Sequence, residues 1–415
     1  MTRCDAVRAA PRRYPPRPPR FGLIHLPGLD GLRAVAVLAV LAYHSDATWA
    51  AGGFLGVEMF FVLSGYLVTG LLVAQLARRG RVDLGAFYRA RARRLFPALV
   101  ACVAGVVAAH KLLMPDPARP PHGDALTALA YVHNWSLILR EVPYAEGFER
   151  PSLLLHLWSL SIEGQLYLLW PLLLVTAFGM VARRLLVVGV VVLAAASTLG
   201  MALLYDPDDA GRVYFGTDTR ASGFLLGAAL AIGCLPWLRT RTRPTLRKVL
   251  DVAALGALGG LGVVLVAASE FDDALYRHGG FAATGLLTAV VVAAVAYPGS
   301  RVGRGLGRRP LVWLGQRSYG IYLYHWPVFV LTRPGIDVPD VPPLVELGRV
   351  AATLVLAEAS YRWLELPVRH GVLGRWWSSP RRPAAVLCGT SLALATLTLI
   401  CVPTVLPAPP VTLGA

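Results

Sequence analysis

The chain has 415 residues, of which 56% are hydrophobic and only 15% are charged, whereas soluble domains carry close to a quarter charged residues. Together with a mean hydropathy of +0.57, this composition excludes an ordinary soluble protein and predicts an integral membrane protein. The net charge of +16 does not require a nucleic-acid partner, because basic loops on the cytoplasmic side of a membrane protein produce the same excess.

Eleven apolar segments are long enough to cross a bilayer as helices, since one crossing needs about 20 apolar residues. They lie at approximately 28–48, 54–76, 95–113, 157–179, 185–204, 221–238, 249–268, 280–297, 311–331, 345–366 and 384–405. The sequence therefore predicts an all-α fold, a polytopic transmembrane bundle of about 10 or 11 membrane-spanning helices. No internal repeat is evident among the segments.

Basic residues alternate along the connections between these segments. The N-terminal tail and every second connection together carry 28 Lys and Arg residues, whereas the intervening connections carry 7. Because Lys and Arg are enriched in cytoplasmic loops, the N-terminus is predicted to be cytoplasmic in a multi-pass protein of the cytoplasmic membrane. Connections 77–94, 239–248 and 367–383 then lie inside, and 114–156 lies outside.

Two ionisable residues share one face of the first segment. Arg33 and His44 are eleven residues apart, which is close to three whole helical turns and about 16 Å along the axis. Arg33 falls in the inner half of the segment and His44 near its outer end. Ionisable groups inside a membrane span are costly and tend to mark functional sites, so we expect both to be functional rather than a structural pair.

A polar stripe opens the fourth segment, which enters the membrane from outside. His156 and Glu163 are seven residues apart and Ser159 lies four before Glu163, so the three share a helix face. A helix cap within an aromatic interface belt is the alternative. Glu163 lies too deep in the segment to serve only as a cap, and we favour a functional role for the stripe.

Further candidates lie near the ends of other segments. Arg91 and Arg94 precede the third segment on the inner side, where a positive-inside bias and a phosphate site for a cytoplasmic ligand both remain possible. His325 lies in the outer half of the ninth segment, where interface anchoring is the alternative to function. Glu358 and Arg362 in the tenth segment are spaced as a structural ion pair.

The five cysteines are scattered along the chain without a CxxC pair. This pattern excludes a disulfide framework and a zinc site. We expect no metal ion in the protein.

In combination, these residues resemble the membrane acyltransferase-3 family, whose members acylate cell-surface glycans and macrolides. The matching blocks are Gly28-Leu-Asp-Gly-Leu-Arg33 running on to His44, Arg91-Ala-Arg-Arg94, His156-Leu-Trp-Ser-Leu-Ser-Ile-Glu163, Thr217-Asp-Thr-Arg220, Ser318-Tyr-Gly-Ile-Tyr-Leu-Tyr-His-Trp-Pro327 and Glu365-Leu-Pro367. Two positions depart from the family pattern, because Glu58 stands where Asp is usual and Gly164 where a second Glu is common.

The resemblance implies three parts of the chain. Residues 1–24 form a basic cytoplasmic tail rich in Pro and Arg, and residues 25–370 form the transmembrane acyltransferase domain. Residues 371–415 comprise a basic cytoplasmic loop, an additional transmembrane helix and a short outer tail. Many relatives add an outer hydrolase-like domain after that helix, so the chain is either a stand-alone form or one cut short.

The function implied by the resemblance is O-acylation of a carbohydrate or glycoconjugate hydroxyl on the outer side of the membrane. The donor would be cytoplasmic acyl-CoA, acetyl-CoA first of all, with no bound cofactor. His44 would act as general base, with Glu163 orienting or charging it, either in direct transfer or in a covalent acyl relay. The substrate-binding residues implied are Arg33, Arg91, Arg94, His156, Asp218, Arg220, Tyr319 and His325.

Two other classes of function compete with this interpretation. A proton-coupled exporter also uses His, Arg and Glu within the membrane, but transporters commonly show repeats and matching broken helices. A non-catalytic membrane scaffold would not need the ionisable residues that share one helix face.

Overall fold

The computed structural model describes residues 25–113, 121–142, 150–234, 243–270 and 272–369. Regular structure in these ranges is helical apart from an isolated bridge between Pro334 and Val338, so the all-α fold is confirmed. The α-helices are α1 (Pro27–His44), α2 (Gly56–Arg79), α3 (Leu84–Leu113), α4 (His122–Leu129), α5 (His133–Leu139), α6 (Trp158–Met180), α7 (Arg183–Leu204), α8 (Gly211–Phe215), α9 (Thr217–Cys234), α10 (Pro244–Ala267), α11 (Asp273–Tyr276), α12 (Gly280–Ala296), α13 (Arg301–Leu306), α14 (Arg309–Leu331), α15 (Pro342–Ser360) and α16 (Leu366–Arg369).

Ten of the eleven predicted segments coincide with helices of the structure. Several of these helices begin earlier than hydropathy indicates, among them α3 at Leu84 and α9 at Thr217, because a helix can continue past its apolar part into polar sequence. Arg91, Arg94 and Arg220 therefore lie on helices, where their directions are fixed. The eleventh segment, 384–405, lies outside the described residues, as do the tail 1–24 and the stretch 371–415.

Several helices have the length and composition of membrane spans. In the described ranges, five stretches qualify, which are Gly53–Arg79, Leu84–Leu113, Leu155–Met180, Arg183–Leu204 and Pro244–Ala267, and Gly280–Ala296 is a shorter apolar helix. The polytopic helical bundle is thus confirmed, while the number of crossings stays a prediction. The remaining long helices, α1, α9, α14 and α15, are more polar, and they carry many of the candidate site residues.

The outward faces of α7 and α10 are apolar. Leu185, Val192, Val252 and Leu255 are all more than half exposed. In a soluble protein such faces would be an aggregation hazard, but the hydrocarbon of a bilayer requires them. These two helices therefore form part of the lipid-facing wall of the bundle.

Two helix pairs pack unusually closely because glycines face the neighbouring backbone. A Cβ on Gly315 of α14 would lie 1.8 Å from the carbonyl oxygen of Asp30 in α1. Likewise, a Cβ on Gly65 of α2 would lie 1.9 Å from the carbonyl oxygen of Phe224 in α9. Small residues permit such close approach of helices within membranes, and these two contacts fix the helices that carry the candidate residues.

The charge alternation gives a test of topology at positions whose exposure is known. Asp208, in a predicted outer connection, and Arg243, in a predicted inner one, are both exposed. In a variant without the native cysteines, we expect a membrane-impermeant maleimide added to intact cells to label Asp208→Cys and to miss Arg243→Cys until the cells are permeabilised. Labelling of position 243 but not of 208 in intact cells would reverse the assigned orientation.

Candidate active site

Three histidines from distant parts of the sequence meet at one end of the bundle. His44 ends α1, His156 lies in a short 3-10 turn before α6, and His325 lies in the last third of α14. The ring centroids of His44 and His325 are 5.1 Å apart, and those of His156 and His325 are 5.6 Å apart. We refer to these three residues as the histidine cluster.

Backbone carbonyl groups orient each ring of the histidine cluster. Nδ1 of His44 donates to the carbonyl oxygen of Val40 at 3.0 Å, and Nδ1 of His325 donates to that of Tyr322 at 2.6 Å. Because a carbonyl can only accept, these bonds leave Nε2 of both rings with its lone pair in the neutral form. Nε2 of His325 is buried without a hydrogen-bond partner among the described residues, whereas the His44 ring is only half-buried.

His44 and His156 line a cavity of about 650 Å³, a size typical of small-molecule sites. Its wall combines aromatic side chains with a few charged ones. The aromatic residues are Tyr43, Phe54, Trp158, Tyr214, Tyr322, Trp326 and Phe329, and the charged ones are Asp46, Glu270, Arg333 and Arg349. His44 and His156 thus both combine access to the cavity with a fixed orientation, and His44 is the less buried of the two.

Sequence reasoning missed Arg349 as a residue of this cavity. Its side chain is almost fully buried, and it donates to Glu346 at 2.5 Å and to the carbonyl oxygen of Phe329 at 3.1 Å. A signal was present, since Arg349 lies inside the tenth predicted segment, where any charged residue is a functional candidate.

Glu163 occupies a separate level of the bundle. Its carboxylate accepts hydrogen bonds from the hydroxyl groups of Ser64 and Tyr167, and we call these three residues the carboxylate layer. Seven residues separate Glu163 from His156, which corresponds to about 10 Å along a helix. The expected contact between Glu163 and His44 is not seen, because a shared helix face does not determine which neighbouring helix that face meets.

An inner arginine group, Arg33, Arg91 and Arg94, lies below the carboxylate layer. Nε of Arg33 donates to the hydroxyl of Ser318 at 3.1 Å, and Arg33 interacts electrostatically with Arg94 and Glu163. The Arg91 guanidinium lies 5.1 Å from the ring centroid of Tyr167, a cation–π distance. Tyr167 thus connects the carboxylate layer to the inner arginine group.

Asp218 and Arg220 were both expected to bind substrate, but the structure directs their side chains to different places. The Asp218 carboxylate accepts from Arg212 at 2.7 and 3.1 Å at the protein surface. Arg220 is fully buried, 3.5 Å from the Glu58 carboxylate. Its guanidinium lies 4.0 Å from the ring centroid of Phe281 and 5.3 Å from that of Tyr214, which is a cavity-lining residue. Arg220 therefore supports the cavity wall from behind.

Tyr319 likewise lies apart from the histidine cluster, since its hydroxyl donates to the carbonyl oxygen of Leu95 in α3 at 2.8 Å. Tyr322, one turn further along α14, is the tyrosine that contacts the histidine cluster. The Tyr322 hydroxyl donates to the carbonyl oxygen of His156 at 2.9 Å and also contacts the hydroxyl of Ser159. Tyr322 thereby ties α14 to the start of α6.

Comparison with known proteins decides the family. A profile of the acyltransferase domain, acyltransferase-3, matches residues 26–361. The chain belongs to this family. Within the described residues of this family member, no group of three or more His, Cys, Asp or Glu side chains is placed to hold a metal ion. No solved structure gives a significant match.

Curated relatives within the acyltransferase-3 family carry a narrower description. The chain is 39% identical over 361 residues to peptidoglycan O-acetyltransferase OatA of Listeria monocytogenes, covering 85% of this chain and 57% of that protein. It is also 39% identical to the putative peptidoglycan O-acetyltransferase YrhL of Bacillus subtilis, covering 83% and 55%. For O-acetyltransferase OatA of Staphylococcus aureus the identity is 35%, covering 83% and 57%. The chain thus spans little more than half the length of these relatives.

The buried pair of Glu58 and Arg220 gives a stability prediction with a matched control. Glu58→Gln keeps the shape of the side chain but leaves the Arg220 charge uncompensated, and we expect the free energy of unfolding in detergent to fall by about 3–5 kcal/mol. Asp218→Asn makes the same chemical change in the exposed pair with Arg212 and should cost about 1 kcal/mol or less. Equal destabilisation by the two variants would contradict the supporting role assigned to the buried pair.

Proposed function

We propose that this chain transfers an acetyl group from cytoplasmic acetyl-CoA to a hydroxyl of a cell-wall glycan on the outer side of the membrane. The observation that carries the proposal is that α1 connects two groups of ionisable residues. Arg33 belongs to the inner arginine group and interacts electrostatically with Glu163 of the carboxylate layer, and His44, eleven residues further along α1, belongs to the histidine cluster beside the cavity. The similarity to peptidoglycan O-acetyltransferases supports a glycan acceptor.

The inner arginine group suits the donor. Coenzyme A carries phosphate groups, and arginine binds phosphate oxygens with charge-assisted, frequently bidentate hydrogen bonds. Arg33 lies on α1, and Arg91 and Arg94 lie on α3, at the end of the bundle that the charge alternation assigns to the cytoplasm. We assign the phosphates of the donor to this end, with the thioester directed towards the carboxylate layer.

The cavity at the histidine cluster suits the acceptor. The acceptor hydroxyl would approach Nε2 of His44, whose other ring nitrogen is held by the carbonyl oxygen of Val40. As the hydroxyl oxygen bonds to the acyl carbon, Nε2 takes its proton, the carbon–sulfur bond breaks, and the proton passes to the departing thiolate. General-base catalysis of this kind contributes about 10²–10⁴-fold to a rate.

Glu163 has a different role in this proposal from the one that its sequence position indicates. Its carboxylate is engaged by Ser64 and Tyr167 and interacts electrostatically with Arg33 and Arg91. We assign to it the neutralisation of part of the positive charge beneath the reacting thioester, rather than the orientation of His44. The competing exporter function has no support from the acyltransferase relatives.

The role of His44 is tested by replacement. We expect His44→Ala to lower kcat for acetyl transfer to glycan fragments by about 10²–10⁴-fold, with normal membrane insertion, because the change removes a polar group from the bundle. His278→Ala removes an exposed histidine outside the site and should leave the rate unchanged. Near-normal turnover by correctly inserted His44→Ala would refute the general-base assignment.

The donor site is tested by removing two arginines at a time. We expect Arg91→Gln combined with Arg94→Gln to raise KM for acetyl-CoA about tenfold or more, since a charged hydrogen bond contributes about 1.5–3 kcal/mol. Arg81→Gln combined with Arg89→Gln removes the same charge from exposed positions of the same connection, and its KM should stay close to that of the wild type. Equal KM values in the two double variants would leave Arg91 and Arg94 with a topological role only.

A further inference from the structure

A π-helical turn, Tyr361–Glu365, interrupts the last helix of the described structure between α15 and α16. Such turns are rare and occur frequently at functional sites. In an uninterrupted α-helix, Glu358 and Glu365 would share a face, because seven residues make nearly two whole turns. The wider π turn shifts the residues that follow around the helix axis, so the two carboxylates meet different surroundings.

Glu358 is fully engaged in a structural contact. Its carboxylate accepts hydrogen bonds from Arg317 and from Arg362, which confirms the ion pair with Arg362 that the spacing predicts. Arg317 also stacks on Trp313, at 4.2 Å from the ring centroid. This carboxylate therefore ties α15 to α14.

Glu365 differs from Glu358, because its buried carboxylate is incompletely hydrogen-bonded within the described residues. It is only 3% exposed, and its Oε1 has no hydrogen-bond partner among the described residues. The turn that carries it packs against α3, the helix of Arg91 and Arg94. The positively charged groups around Glu365 are Arg94, Arg369, Arg33 and Arg317. A buried, incompletely paired carboxylate is costly, so its place beside these arginines calls for an explanation.

The repulsion between the neighbouring arginines explains why a carboxylate is buried here. Arg94 repels both Arg33 and Arg369, and without a nearby negative charge these long side chains would spread apart. A carboxylate fixed in the rigid helical backbone can hold such guanidinium groups in one arrangement. Glu163 interacts with Arg33 from the side of the carboxylate layer, and Glu365 interacts with Arg33 and Arg94 from the side of α16. The two glutamates leave a net positive charge on the group, as a phosphate site requires.

We propose that Glu365 is a positioning residue for the donor, which holds Arg94 and Arg33 in the arrangement that binds the phosphate groups of acyl-CoA. This inference rests on the function proposed above. It adds a residue on α15–α16 to a site otherwise built from α1 and α3. It also assigns a role to the π turn, which directs the Glu365 carboxylate away from the helix face that carries Glu358.

The experiment compares two donors that share the thioester and differ in the nucleotide. Acetyl-CoA has the phosphate groups, and acetyl-pantetheine lacks them. We expect Glu365→Gln to raise KM for acetyl-CoA about tenfold with little change in kcat, and to leave kcat/KM for acetyl-pantetheine unaltered. Glu365→Asp keeps the charge and should restore most of the affinity. Glu358→Gln, the matched control on the same helix, should leave KM for both donors unchanged even if it lowers stability.

The outcomes separate this inference from the proposed function. An unchanged KM for acetyl-CoA in Glu365→Gln would overturn the inference, and so would an equal loss with both donors, which indicates a structural role. Failure of Glu365→Asp to restore affinity would also contradict a role based on charge. If the wild-type protein does not consume acetyl-CoA at all, the proposed function itself fails, and that result is recognised before any variant is compared.

Discussion

The close packing of α1 against α14 is the contact on which the candidate site depends. It is possible because Gly315 has no side chain where α14 meets the backbone of Asp30. Along this one interface, Arg33 donates a hydrogen bond to Ser318, and the ring of His44 packs against the ring of His325. A larger residue at Gly315 would separate the helices and disturb both levels of the site, since packed helices transmit such a displacement along their length.

The second determining constraint is the cost of polar groups in a low-dielectric interior. Within hydrocarbon, a polar or charged group must find its partner inside the protein. The structure meets this demand with backbone carbonyl groups for His44, His156 and His325, hydroxyl groups for Glu163, and aromatic rings for Arg220. Partners of this kind fix the orientation of the polar side chains, as a preorganised catalytic site requires.

Some of the exceptions to full pairing lie beside the proposed substrate sites. Nε2 of His325, Nδ1 of His156 and Oε1 of Glu365 are buried without hydrogen-bond partners among the described residues. His156 lines the cavity assigned to the acceptor, His325 packs against His156, and Glu365 borders the arginines assigned to the donor. Unsatisfied polar atoms therefore occur beside both of the proposed substrate sites.

The sequence by itself determined the class of fold, the position of ten helices and the depth of Arg33, His44 and His325 along them. Hydropathy and helical periodicity suffice for this, because both depend only on residues close together in the chain. The resemblance, carried by short motifs in a fixed order, also determined the family. The spacing of Glu358 and Arg362 was enough to predict their ion pair, since both lie on one helix.

Only the tertiary structure decided which residues meet across helices. It placed Glu163 with Ser64 and Tyr167 instead of His44, and it put Tyr322 rather than Tyr319 at the histidine cluster. It also separated Arg220 from Asp218, although they are two residues apart in the chain. A sequence pattern gives the face of a helix and the depth of a residue, but the partner depends on how the neighbouring helices approach and rotate. Those arrangements are set by packing across the whole bundle, at glycines such as Gly65 and Gly315, and no local pattern contains them.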